Sequence, residues 1–221
     1  MEKTEKSGLS DSKKLSVLLT GFEPFGGEKV NPSMRIVKRL SKAVFPHISL
    51  HTLILPVSYQ KSTEVLEEYY KTNNIDIALH LGQAGGSAGI RLERVAINLL
   101  DSKHPDNDGQ VKEDVSIIDN GPDAYMTRVK IKAVAELLKK KKIPAFVSYT
   151  AGQYICNEVY YYSLHRSNVT GTPKHALFVH LPFLPEQVAT KEGKLEKLPS
   201  MTLELQTKAV RLILENLKEF I

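Results

Sequence analysis

Ala145-Phe-Val-Ser-Tyr149 passes through Thr150-Ala-Gly-Gln153 into Tyr154-Ile-Cys-Asn-Glu-Val159. The first part is a short apolar run and predicts a strand. The last part opens a helix predicted over Tyr154–His165. A strand handing over to a helix is the repeating step of an α/β fold, and the rest of the chain repeats it. Leu15–Thr20, Ile48–Leu55, Ile75–Leu81 and His175–Leu181 are further predicted strands. A helix is predicted from Asn31-Pro32-Ser33, with Asn31 as N-cap and Pro32 in the first turn. Others are predicted over Ser58–Lys71, Val129–Lys140 and Met201–Phe220. The strands are nearly continuous apolar runs, as parallel strands buried on both faces are. The fold class is therefore α/β, a mostly parallel sheet with helices on both faces.

Ligands in such folds bind beyond the carboxyl ends of the strands. Four segments follow strand ends here: Gly21–Gly27, Gly82–Gly89, Thr150–Cys156 and the stretch from His180 onward. The polar segment holding Pro105, Asp106, Asn107 and Gly109 is too long for a simple turn, which marks it for function.

The chain has 221 residues, 42% hydrophobic, with no composition break near its middle. That predicts one domain over residues 15–221, preceded by a disordered leader over 1–14. The leader is polar and lacks the apolar stretch of a secretory signal. No apolar run approaches the ~18 residues of a membrane helix, so no membrane partner is expected. One cysteine cannot close an internal disulfide, which suits a reducing compartment and a cytoplasmic location. Net charge is +5. Much of the excess is the Lys139–Lys142 run, a helix end where cations complement the dipole. No nucleic-acid motif accompanies it, so no nucleic-acid partner is expected.

Cys156 is the residue on which chemistry turns. At a helix start the backbone N–H groups and the dipole favour thiolate over thiol. The bland alternative is a small buried hydrophobe. A nucleophile needs a base, and the base an orienter. Among seven histidines, His180 closes Ala176-Leu-Phe-Val-His at the binding edge, and His80 is its rival. Glu93 lies in Arg91-Leu-Glu-Arg-Val-Ala-Ile-Asn98, leading into an apolar stretch, Val95–Leu99. A carboxylate there is costly unless paired or at the strand's mouth. It either holds an imidazole or pairs with Arg91 or Arg94. No Lys-Ser or Lys-Thr follows the Gly82 loop, which excludes a P-loop. One cysteine and no His-Glu-x-x-His motif argue against a zinc site.

Several stretches resemble the signatures of the pyroglutamyl-peptidase I family. They are Leu18-Leu-Thr-Gly-Phe-Glu-Pro-Phe-Gly-Gly27 with Asn31-Pro-Ser, Gly82-Gln-Ala-Gly-Gly86 with Glu93-Arg-Val-Ala-Ile-Asn98, Pro105-Asp-Asn107, Ser148–Asn157 and Val179–Gln187. They occur in order across nearly the whole chain. The resemblance implies an α/β/α sandwich around a twisted sheet, with Cys156 as nucleophile, His180 as acid/base and Glu93 as orienter. It implies peptides with an N-terminal pyroglutamate as substrates, no metal or other cofactor, and a homodimer or homotetramer. Phe22, Phe25, Gln83 and Tyr154 would form the flat apolar slot that suits a neutral lactam ring. Ser87 stands where the family often has arginine, and Gln153 where a small hydroxyl residue is commoner. A cysteine amidase of shifted specificity, and a relative that binds pyroglutamyl peptides or senses redox state without turnover, are the alternatives.

Overall fold

The computed structural model describes residues 14–191 and 197–221. The expected leader, residues 1–14, lies outside them apart from Lys14. In chain order the elements are β1 (Leu15–Phe22), α1 (Pro32–Leu40), β2 (Ile48–Leu55), α2 (Lys61–Thr72), β3 (Ile77–Gln83), β4 (Ile90–Glu93), β5 (Val95–Ile97), β6 (Leu100–Ser102), β7 (Lys112–Val115) and β8 (Ala124–Met126). Then come α3 (Ile131–Lys140), β9 (Ala145–Ser148), α4 (Ile155–Val169), β10 (His175–Leu181), α5 (Pro185–Ala189), α6 (Leu203–Glu215) and α7 (Leu217–Phe220). Six strands form one sheet in the order β2-β1-β3-β10-β4-β9. Strands β2, β1, β3 and β10 are mutually parallel. Strand β4 runs antiparallel to β10 and parallel to β9.

Successive side chains of a strand point to opposite faces, and here both faces are covered. On one, Leu177 and Val179 of β10 join Val17, Leu19 and Leu92 beneath Ile36 of α1, Val134 of α3 and Ile213 of α6. On the other, Ala176 and Phe178 join Leu18 and Ala78 beneath Leu66 of α2 and Val159 and Tyr160 of α4. This is the three-layer α/β/α sandwich, and the double burial is why its strands read as unbroken apolar runs.

The structure departs from the sequence expectation in several places. Helix α4 runs on to Val169, because its polar last turn finds partners: Arg166 donates to Glu67 at 2.8 Å and Ser167 to the Lys174 carbonyl at 2.7 Å. The expected helix Met201–Phe220 begins at Leu203 and breaks at Asn216 into α6 and α7. The Asn216 side chain bonds back to the Leu212 carbonyl at 2.8 Å, a local bond that competes with the helix. Finally, Ile90–Glu93 forms a strand the pattern did not predict.

Candidate active site

Glu93 was expected to lead into an apolar strand. It does precede one, β5, but it also ends a strand of its own, β4, whose antiparallel register pairs it with Phe178 and pairs Arg91 with His180. Residues two apart share a face, so Arg91, Glu93, Phe178 and His180 all project to the α4 side. Glu93 thereby lies one step below His180 rather than at the strand mouth, and it is fully buried. Its cost is met by pairing: His180 Nδ1 lies 2.8 Å from Glu93 Oε1. An ionised carboxylate only accepts, so Nδ1 carries the hydrogen and Nε2 is left to take a proton. The ring of Phe178 packs against that of His180 with centroids 4.7 Å apart.

Cys156 is the second residue of α4. Strand β9 runs opposite to β10, so its exit is not on the same edge as the loops after β1, β3 and β10. The turn through Thr150–Tyr154, with Gly152 at φ 83°, brings the chain back. The next residue, Asn157, anchors the helix start: its amide donates to the Ile97 and Leu99 carbonyls at 2.8 and 3.0 Å and accepts from the Ile97 N–H at 3.0 Å.

The thiol itself is not the ready thiolate that the helix start predicts. Burial, reinforced by the negative charge of Glu93, pushes its pKa up to about 12, against the lowering effect of its own backbone N–H and of Arg91. Desolvation exceeds the helix-terminus effect here.

Cys156 and His180 line one cavity of about 440 Å³ together with Phe25, Gln83, Tyr154 and Phe183. That size and apolar lining fit a small ligand. Phe25 and Tyr154 face each other with ring centroids 6.2 Å apart. The Tyr154 hydroxyl donates to the Pro105 carbonyl at 3.0 Å. Gln83 accepts through Oε1 from Gln187 Nε2 at 2.8 Å, and its own NH2 donates to no side chain or carbonyl among the described residues. Phe22 is not among the lining residues. It is 2% exposed and backs Phe178, centroids 6.4 Å apart. Strand β1 extends two residues further than Thr20, and this carries Phe22 into the core.

The polar segment around Pro105 acts as a brace. The Asp106 carboxylate accepts from the backbone N–H groups of Tyr59, Asp108 and Gln110 at 2.7 to 2.9 Å. Asn107 donates to Glu23 Oε1 at 2.9 Å and to the Pro24 carbonyl at 3.0 Å, tying down the Phe25 loop. Sequence reasoning missed Phe183 and Gln187 in these roles. Val179–Gln187 carried them only as part of a motif, without a spatial partner.

His80 is excluded as the base. It is fully buried, its nitrogens lie 2.8 Å from Thr20 Oγ1 and 2.9 Å from Ser163 Oγ, and burial lowers its pKa to about 3. Ser87 turns inward on its own loop, donating to the Gly89 carbonyl at 2.7 Å. Gln153 is exposed. Among the described residues no group of three or more His, Cys, Asp and Glu could hold a metal ion, and no helix is long and apolar enough to cross a membrane.

Residues 15–219 match the family model described as pyroglutamyl peptidase. The pyrrolidone-carboxylate peptidase of Pyrococcus furiosus is 43% identical over 201 residues, which cover 91% of this chain and 97% of that one. The enzyme of the same name from Bacillus cytotoxicus is 40% identical, over 90% of this chain and 91% of its own. The crystal structure of the pyrrolidone carboxyl peptidase of P. furiosus superposes with a TM-score of 0.90 at 42% identity, covering 94% of this chain and all of that one.

Proposed function

Since the chain belongs to the pyroglutamyl peptidase family, we propose that Cys156, His180 and Glu93 are the triad with which it works. The protein is a cysteine-type hydrolase that removes N-terminal pyroglutamate from peptides. The observation that carries the residue assignment is the 2.8 Å bond between His180 Nδ1 and Glu93 Oε1, with His180 and Cys156 opening into one cavity.

In this reading the lactam ring enters between Phe25 and Tyr154, and the Gln83 amide meets its polar edge. His180 Nε2 takes the Cys156 proton as sulfur attacks the carbonyl carbon after the ring. A thiol held near 12 makes that transfer part of the attack rather than a step before it. Backbone N–H groups at the start of α4, which lack intrahelical partners, receive the oxyanion. His180 gives its proton to the leaving amine, and the acyl group remains on sulfur as a thioester. Water, deprotonated by His180, then releases pyroglutamate. Phe22 supports the slot from behind through Phe178.

The purified protein is expected to release a fluorophore from a pyroglutamyl-amide and to lose that activity on thiol alkylation. Cys156→Ser should reduce kcat by roughly a thousandfold or more; near-normal turnover in that variant sinks the assignment. Equal cleavage of prolyl and pyroglutamyl amides would favour the shifted-specificity amidase. Loss of Cys156 to mild oxidant without any turnover of a pyroglutamyl-amide would favour the redox-sensing relative. The two cores share one sheet, which supports reading residues 15–221 as one peptidase domain. A cytoplasmic homodimer or homotetramer acting without metal completes the reading. Light scattering of the purified protein tests the assembly, and retention of activity in a chelator tests the last point.

A further inference from the structure

His180 satisfies only one oxygen of the buried Glu93 carboxylate. Oε2 has no hydrogen-bond partner among the described residues. A buried carboxylate in that state is costly unless an opposite charge stands close. Arg91 supplies it. Its Nε lies 3.3 Å from Glu93 Oε1, the same oxygen that accepts from His180. The far end of the guanidinium reaches elsewhere. Nη2 donates to Ser148 Oγ at 3.2 Å and to the Thr150 carbonyl at 3.1 Å. Those two residues end β9 and begin the turn that delivers Cys156. One side chain thus touches the orienting carboxylate and the approach to the nucleophile, without lining the substrate cavity.

We propose that Arg91 is a positioning residue for this hydrolysis: its guanidinium fixes Glu93 beneath His180 and pins the Ser148–Thr150 turn that sets Cys156. The proposal rests on the triad assigned above. Its geometry follows from β4 being antiparallel to β10, which sets Arg91 opposite His180. The charge matters as well as the fork. The titratable groups around it are Glu93 on its own strand, His180 from β10, and Cys156 and Tyr160 from α4, whose Tyr160 hydroxyl donates to the Glu93 carbonyl at 2.8 Å. Arg94, the next cation along the chain, also acts on Tyr160. Removing a positive charge strengthens proton binding at every one of these groups, so their effects add in one direction.

Arg91→Met and Arg91→Lys test this, assayed on a pyroglutamyl-amide across pH beside the wild type. In Arg91→Met, kcat is expected to fall about tenfold or more with KM little changed. The acid limb of kcat/KM should move to higher pH by about one unit, as expected for loss of one nearby charge. Arg91→Lys keeps the charge without the fork. It should hold the limb in place and recover only part of kcat, since one ammonium cannot span both contacts. The rate of Cys156 alkylation by iodoacetamide against pH gives a second readout that needs no turnover, and its limb should move with the first in Arg91→Met.

A merely structural arginine would lower the unfolding temperature and the active fraction but leave both limbs in place; that outcome overturns the proposal, as does wild-type kcat in Arg91→Met. If Arg91→Met does not fold, Arg91→Lys and Ser148→Ala decide. With kcat counted per alkylatable Cys156, a reduced kcat at wild-type active fraction in both supports the clamp, and a wild-type kcat per alkylatable Cys156 in both overturns it. A wild type that alkylates but does not cleave pyroglutamyl amides overturns the functional reading instead, and the alkylation profiles still judge Arg91.

Discussion

Gly82 has no side chain, and the space a Cβ would need is already taken. Built there, it would stand 2.8 Å from two ring atoms of Phe178 and 2.9 Å from Cys156 Sγ. Phe178 cannot give way, since His80, Tyr160, Phe22 and His180 all pack around it. The sulfur is what must move. Gly82→Ala is expected to lower kcat at least about tenfold, because a misplacement near 1 Å costs up to a hundredfold. It should destabilise the fold by about 1–3 kcal/mol through overpacking, read as kcat and as the denaturant midpoint. His80, one strand residue pair away, behaves differently. With its pKa held near 3 by burial, it stays neutral in the native state while the unfolded chain takes up a proton below about 6.5. Its contribution to stability is present above that value and is lost as pH falls toward 3. His80→Gln should flatten that part of the acid profile and cost about 1–3 kcal/mol for the hydroxyl left unpaired. The pH dependence of kcat/KM should not change, in contrast to a His180 variant. At this scale Cys156 and His180 were legible because each follows an apolar run. Arg91 was legible only as a nearby cation, because its partners are fixed by a register between strands far apart in sequence.

Elements explain which local signals held. Asn31 and Pro32 begin α1 as the sequence indicates: Asn31 Oδ1 accepts from the Ser33 N–H at 3.0 Å and Pro32 occupies the first turn. The cap does a second task, since Asn31 Nδ2 donates to the Glu23 carbonyl at 3.0 Å. That bond steadies the loop carrying Phe25. Asn31→Ala is expected to cost about 1 kcal/mol and to raise KM for a pyroglutamyl-amide more than it lowers kcat, measured by steady-state kinetics. Strand β4 was not legible. It has four residues, and its Ile-Arg-Leu-Glu alternation resembles a half-exposed strand although Glu93 is fully buried. The charges there are covered because they pair with one another and with His180, and hydrophobic periodicity carries no information about pairing. Helix α4 shows the same limit at its far end, where polar residues with tertiary partners extend it past His165.

The whole molecule decides what a buried charge does. Glu158, two residues past Cys156, is 5% exposed, and burial raises its pKa to about 7. It accepts from the backbone N–H of Gln60 at 2.9 Å, a residue held at φ 64° in the left-handed region. The native state therefore keeps a proton that the unfolded chain releases near the ordinary carboxylate value. Stability from this group is complete below that value and falls as pH rises through 7. Glu158→Gln should remove the loss, raising stability at mildly alkaline pH by up to roughly 3 kcal/mol while leaving acidic conditions nearly unchanged. Urea unfolding at two pH values checks this, and an equal shift at both would contradict it. The sequence by itself determined the α/β class and the two-sided burial of the sheet, and it singled out Cys156, His180 and Glu93, the residues proposed above as nucleophile, base and orienter. These depend on local periodicity and on motifs that survive as strings of residues. Only the tertiary structure decided that β4 is antiparallel, that Glu93 sits under His180 with Arg91 beside it, that Phe22 packs behind Phe178, and that burial pushes the Cys156 thiol up. Each depends on what packs against a group from elsewhere in the chain, and desolvation and Coulomb interactions are set by that packing.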